Sequence, residues 1–132
     1  MKLKDRYSLM IQILELLSDK QLHHINELIV KLLLLNNLSN EERDRLIQTN
    51  NDKIIIKSFD QHVQIALIHL LVFNLIKANQ VWSFNIEYTT SYCLTDKGIK
   101  FINDNNNKGK VEIADLLIKE MDQISKSLIR KK

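Results

Sequence analysis

Proline is absent from this chain of 132 residues, and glycine occurs only as Gly98 and Gly109. Architectures assembled from many tight turns draw heavily on both residue types, so helices should dominate. Cys93 is the only cysteine. No intramolecular disulfide can form, and a reducing, cytoplasmic setting is the simplest home. Long apolar runs are missing as well: residues 28–35 and 63–76 are shorter than a bilayer span and include Lys31, Gln64, His69 and Asn74. The N-terminal stretch carries Lys2 and Lys4 ahead of apolar residues, but Gln12 and Glu15 interrupt it as a signal peptide would not tolerate. Neither a membrane partner nor secretion is expected. Cation is also lacking where it would be informative, since residues 58–76 contain no Lys or Arg.

What is present suits an ordinary soluble globule, with 45% hydrophobic and 27% charged residues. The length allows about one domain with an appendage. The formal net charge of +3 and isoelectric point near 9.0 are compatible with nucleic acid without selecting it.

Apolar spacing places a first helix over residues 7–18, with Met10, Ile13, Leu14 and Leu17 on one stripe, and a second over 23–35, with Ile25, Leu28, Ile29 and Leu32. A short strand fits between them. Ser39 and Glu42 have capping-box spacing and open a short charged helix to about Gln48. Residues 49–53 read as a polar loop, and Ile54, Ile55 and Ile56 as a short strand or an extended lead-in. Ser58 and Gln61 repeat the capping-box spacing and start a long helix over residues 58–76. From Val81 to Leu94 the period becomes two, with Trp82, Phe84, Ile86 and Tyr88 on one face, which predicts a β-hairpin. Thr95 can cap a last short helix through Ile102.

The expected fold is therefore mainly α with a small β-hairpin, an α+β winged helix-turn-helix over residues 1–102. A polar linker follows at 103–110. A C-terminal amphipathic helix at 111–132 completes the chain. Its Ala114, Leu117, Met121, Ile124 and Leu128 are spaced three, four, three, four, a heptad seam that should pack on the globule or on its twin.

Four sets of residues, taken in order, carry a resemblance: Ile13-Leu14-Glu15-Leu16-Leu17-Ser18-Asp19; Leu38-Ser39-Asn40-Glu41-Glu42-Arg43; Phe59, Val63, Ala66, Leu70 and Leu75; and Leu94-Thr95-Asp96-Lys97-Gly98. Over roughly residues 8–102 the chain resembles the N-terminal winged-helix domain of Mrr-type restriction endonucleases. The resemblance implies a DNA-binding module of restriction-modification systems, which in that family delivers a separate nuclease domain. No nuclease domain is expected within these 132 residues. Such nucleases carry Glu or Gln, any residue, then Lys beside a metal-bound water, and no such triplet occurs in this chain. The expectation is a non-catalytic protein with neither cofactor nor metal.

The long helix departs from the family, whose outward side is basic and polar. At about 100° per residue, Phe59, Val63, Ala66, Leu67, Leu70 and Phe73 gather on a core side. Ile65, Ile68, Leu71, Val72 and Leu75 gather opposite, with Gln61 and Gln64. Two functions stay open. One is DNA recognition or regulation, as a homodimer, with Lys53, Lys57, Gln61, Gln64, Lys97 and Lys100 as candidate contacts to double-stranded DNA. The amides would read adenine edges and the lysines phosphates. The other is a protein-interaction module that has lost DNA binding, whose candidate interface is Ile65, Ile68, Leu71, Val72 and Leu75 with Leu117, Met121, Ile124 and Leu128. Further cations cluster at Lys2, Lys4 and Arg6. His23 and His24 are adjacent, so they point apart and should serve a helix entry or turn; His62 and His69 are too far apart to share an ion and should border the core or an interface. Cys93 reads as a small core residue with no basic neighbour in view.

Overall fold

The computed structural model describes residues 6–50, 53–82 and 88–105, together with 112, 113, 115–119, 122, 123 and 126 near the C-terminus. The chain runs α1 (Arg6–Leu16), a 3₁₀ turn (Leu17–Asp19), β1 (His23–His24), α2 (Ile25–Asn36), α3 (Asn40–Asp44), β2 (Leu46–Asn50), β3 (Lys53–Lys57), α4 (Phe59–Val72), β4 (Ile76–Trp82), β5 (Tyr88–Leu94) and α5 (Asp96–Asn105). It is mainly helical with a small antiparallel sheet, ordered β1-β5-β4. No helix among the described residues is long and apolar enough to cross a membrane.

The apolar stripes foreseen in the sequence meet in one core. Leu9, Met10, Ile13 and Leu17 from the first helical segment pack with Leu28 and Leu32 of α2 and with Phe59, Val63, Ala66 and Leu70 of α4, all fully buried. Each of these side chains other than Ala66 stabilises the fold by roughly 1.5–3 kcal/mol through removal from water. A polar pair joins α1 to α2: buried Asn36 donates through Nδ2 to Gln12 Oε1 at 2.9 Å, and Gln12 Nε2 donates to Asn36 Oδ1 at 3.2 Å.

Three boundaries differ from expectation. The charged helix ends at Asp44 instead of about Gln48, and Leu46–Asn50, expected as helix end and loop, pairs as an antiparallel strand with Lys53–Lys57, where a short strand or lead-in was expected at Ile54–Ile56; Ile47 stands opposite Ile56 and Thr49 opposite Ile54. The long helix stops at Val72 instead of Ile76. Asn74 takes a left-handed conformation at φ 61°, Leu75 N–H donates to Leu70 O and Asn74 N–H to Leu71 O, a Schellman ending in which asparagine stands where glycine is usual. Ile76 is then already in β4, paired with Leu94, so the β4–β5 pairing begins five residues before Val81. Third, α5 runs past Ile102 to Asn105, into the expected linker.

The described residues of the C-terminal stretch are helical. Leu117 is 1% exposed within the core, with Ile113 and Ile118 packed against it. At this position the seam packs on its own chain. The seam residues Ala114, Met121, Ile124 and Leu128 lie outside the described residues.

Candidate functional site

The site is built on α4. Ser58 starts it with a reciprocal cap: its Oγ accepts from Gln61 N–H at 3.2 Å, and Gln61 Oε1 accepts from Ser58 N–H at 3.1 Å. Of the candidate DNA contacts, Lys57 sits just before this cap and is exposed, as are Gln61 and Gln64 on the first turns. Lys53 begins β3 on the same hairpin. Gln61 forms the cap that its spacing from Ser58 announced, so its oxygen is committed there.

Lys97 and Lys100 lie at the other end of α4, on α5. A helix of 14 residues is about 20 Å long, so the six candidates form two separate groups rather than one patch. Lys97 also has an intramolecular task. Its Nζ donates to Phe73 O at 2.9 Å, placing an ammonium where the α4 dipole is negative. Thr95 completes the same clamp: its Oγ1 donates to Asn74 O at 2.6 Å, its N–H donates to Leu75 O at 3.1 Å, and Gly98 N–H donates to Thr95 Oγ1 at 3.0 Å. The run Leu-Thr-Asp-Lys-Gly is thus a device that caps α5 and holds the end of α4.

The candidate interface is narrower than the sequence implied. Ile68 and Val72 are each 55% exposed, but Ile65 and Leu71 are half-buried. Leu75, expected on the outer side, is 2% exposed: the Schellman turn folds it back onto the core. Leu117 is likewise an internal residue and not a contact offered to a second copy. Met121, Ile124 and Leu128 lie outside the described residues.

Sequence reasoning missed two polar clusters. Arg6, counted with the surface cations, is 1% exposed, and its Nη2 donates to Nδ1 of fully buried His62 at 3.1 Å. The Nε2–H of His62 donates to Leu46 O at 2.8 Å. Burial, and secondarily the positive charges of Arg6 and Lys57, hold the His62 imidazole below its usual value against the opposing hydrogen bond to Leu46. The second cluster surrounds His23 in β1, whose Nδ1 lies 2.6 Å from Glu27 Oε2 and whose Nε2 lies 2.8 Å from Asp19 Oδ2. Burial lowers the His23 pKa, but the two carboxylates outweigh it and the net shift is upward; both carboxyls are held below their usual range, Asp19 chiefly by Gln21 N–H and Glu27 chiefly by His23. The two acids sit on opposite ring nitrogens and do not converge, and among the described residues no group of three His, Cys, Asp or Glu is placed to hold a metal ion. His24 serves the helix entry as expected, its Nδ1 accepting from Asn26 N–H at 3.1 Å.

Cys93 does have a basic neighbour. Lys77 stands directly opposite it across β4 and β5, beside an open cavity of about 430 Å³ lined also by Leu22, Ala78 and Asn79. Sequence spacing across a hairpin whose register was unknown could not reveal this pairing.

Comparison with protein-family models, with curated proteins and with solved structures finds no match for this chain.

Proposed function

We propose that this chain is a winged-helix module of the Mrr N-terminal type that binds double-stranded DNA without catalysis, as a homodimer in the cytoplasm. The element order α1-β1-α2-α4-β4-β5 with sheet order β1-β5-β4 supports the winged-helix reading, with α3 and the β2–β3 hairpin inserted before α4. In that plan α4 is the reading helix, and reading helices meet base edges with their N-terminal residues.

The observation that carries the DNA reading is the polar N-terminal half of α4. Gln64 and Gln61 are exposed there, directly after the exposed Lys57, while the opposite side of the helix is buried. Gln64 is the amide available for an adenine edge. Lys57, and Lys53 on the same hairpin, would neutralise phosphates. Anisotropy titration with a labelled duplex between 50 and 200 mM salt tests this. With Lys53 and Lys57 of both protomers neutralising about four phosphates, affinity should fall about 150-fold over that range. An absence of binding at the lowest salt would refute it.

A second reading, recognition of a protein, is favoured by the C-terminal half of α4, where Ile68 and Val72 are exposed and the helix itself carries no Lys or Arg. Two aliphatics are a small surface compared with the five-residue stripe suggested by the sequence, so this reading ranks second.

A further inference from the structure

We propose that His62 is a proton-operated latch that holds the β2–β3 hairpin and α1 against α4, closed when its imidazole is neutral and released when it is protonated. Its two partners demand opposite things of the ring. A guanidinium can only donate and a carbonyl can only accept, so Arg6 Nη2 at 3.1 Å and Leu46 O at 2.8 Å together fix one neutral tautomer, with the proton on Nε2. A second proton on Nδ1 would point at the Arg6 donor, in a place where His62 is 0% and Arg6 1% exposed. Water cannot take over the lost bond without separation of the elements. The latch therefore converts one protonation into a loosening among three elements, one of which carries Lys53 and Lys57 ahead of the helix.

The neighbouring groups reinforce this direction. Among the described residues, the charges acting on His62 are Arg6 from α1 and Lys57 from β3, both positive. Two turns along α4, His69 also feels Arg6, and among the described residues its buried Nδ1 finds no hydrogen-bond partner. Arg43, in the last turn of α3, is paired with Asp60 at the entry to α4, and the charged residue of β4 is the exposed Lys77. The latch stands or falls apart from any contact between α4 and DNA.

The test is amide hydrogen exchange resolved by residue, on the full chain, from neutral pH to about pH 5, the range in which imidazoles titrate. After correction for intrinsic exchange, protection of Leu46–Asn50 and Lys53–Lys57 should fall with acidification below the range of a free imidazole, approaching but not exceeding about tenfold per pH unit as one proton allows, ahead of the β4–β5 sheet. In His62→Gln the carboxamide can accept from Arg6 and donate to Leu46 O but cannot titrate, so hairpin protection should stay flat. Equal acid loss in wild type and His62→Gln would overturn the proposal. If the variant fails to fold, ¹⁵N shifts of the wild-type ring decide: a neutral Nε2–H tautomer at pH 7 that vanishes together with hairpin protection supports the latch, and a ring already protonated at pH 7, or one that titrates with the hairpin unchanged, overturns it.

Discussion

Replacing Gly98 by Ala should destabilise the domain by about 2–3 kcal/mol, although alanine is the better helix former. A Cβ built on Gly98 lies 2.0 Å from Leu75 O and 3.3 Å from Leu94 Cδ2. Carbon–oxygen contacts settle near 3.3 Å, so α5 would have to retreat by about 1.3 Å. That shift stretches the bonds of Thr95 to Asn74 O and Leu75 O, and of Lys97 to Phe73 O, beyond useful range. Two neutral hydrogen bonds are worth about 1 kcal/mol each. The Lys97 bond adds about 1–2 kcal/mol, discounted because the side chain is exposed. Helix propensity returns about 1 kcal/mol. Urea unfolding of both proteins measures the difference: at an m-value of about 2 kcal/mol/M the midpoint should fall by at least about 1 M with m unchanged. A Gly98→Ala protein as stable as wild type, or more so, would refute the clamp.

Asn74 supplies a second test of the α4 ending. With φ at 61°, Asn74→Ala should lower stability by about 1 kcal/mol, whereas Asn74→Gly should be neutral or stabilising; calorimetric Tm values distinguish the two. The His23 clamp has a definite pH signature. Its pKa is raised in the fold, so its contribution is complete below the unfolded value and lost as pH rises through the folded one, while the lowered Asp19 and Glu27 lose theirs as pH falls. The His23 contribution, read as wild type minus His23→Gln in urea titrations, should thus show a plateau between the carboxylate and imidazole ranges and decline on the alkaline side, separate from the opposite titration of buried His62. For α4, changing Ile68 and Val72 together to Glu should leave the circular dichroism spectrum unchanged; if these residues mediate self-association the light-scattering mass will drop, and an unchanged oligomer would remove the protein-contact reading. By contrast Leu75→Ala should cost about 2–5 kcal/mol as a core truncation, and a loss below 1 kcal/mol would show that Leu75 faces outward after all.

Periodicity and capping chemistry were legible in the chain because they are local. The apolar stripes of α1, α2 and α4 recur at helical spacing, and both Ser39-to-Glu42 and Ser58-to-Gln61 form the caps that their spacing announces. Absence was informative in the same way, as the lack of proline and the pair of glycines left helices as the dominant element. Other features depended on contacts between residues far apart in sequence. Nothing local marks Asn74 as the end of a helix whose apolar pattern continues to Ile76; the turn forms because Leu75 gains a place in the core and Thr95, 21 residues later, caps its carbonyls. Arg6 looks like a solvent cation until α4 brings His62 to it across a separation of 56 residues. The pairing of Ile47 with Ile56 likewise appears only once the hairpin register is set. Sequence determined which segments are helices and which faces are oily, since these follow from steric propensity and burial along a few neighbouring residues. Tertiary structure alone decided which of those oily faces the chain covers itself and which charges it takes inside, because desolvation and hydrogen-bond complementarity act between elements only after they have met.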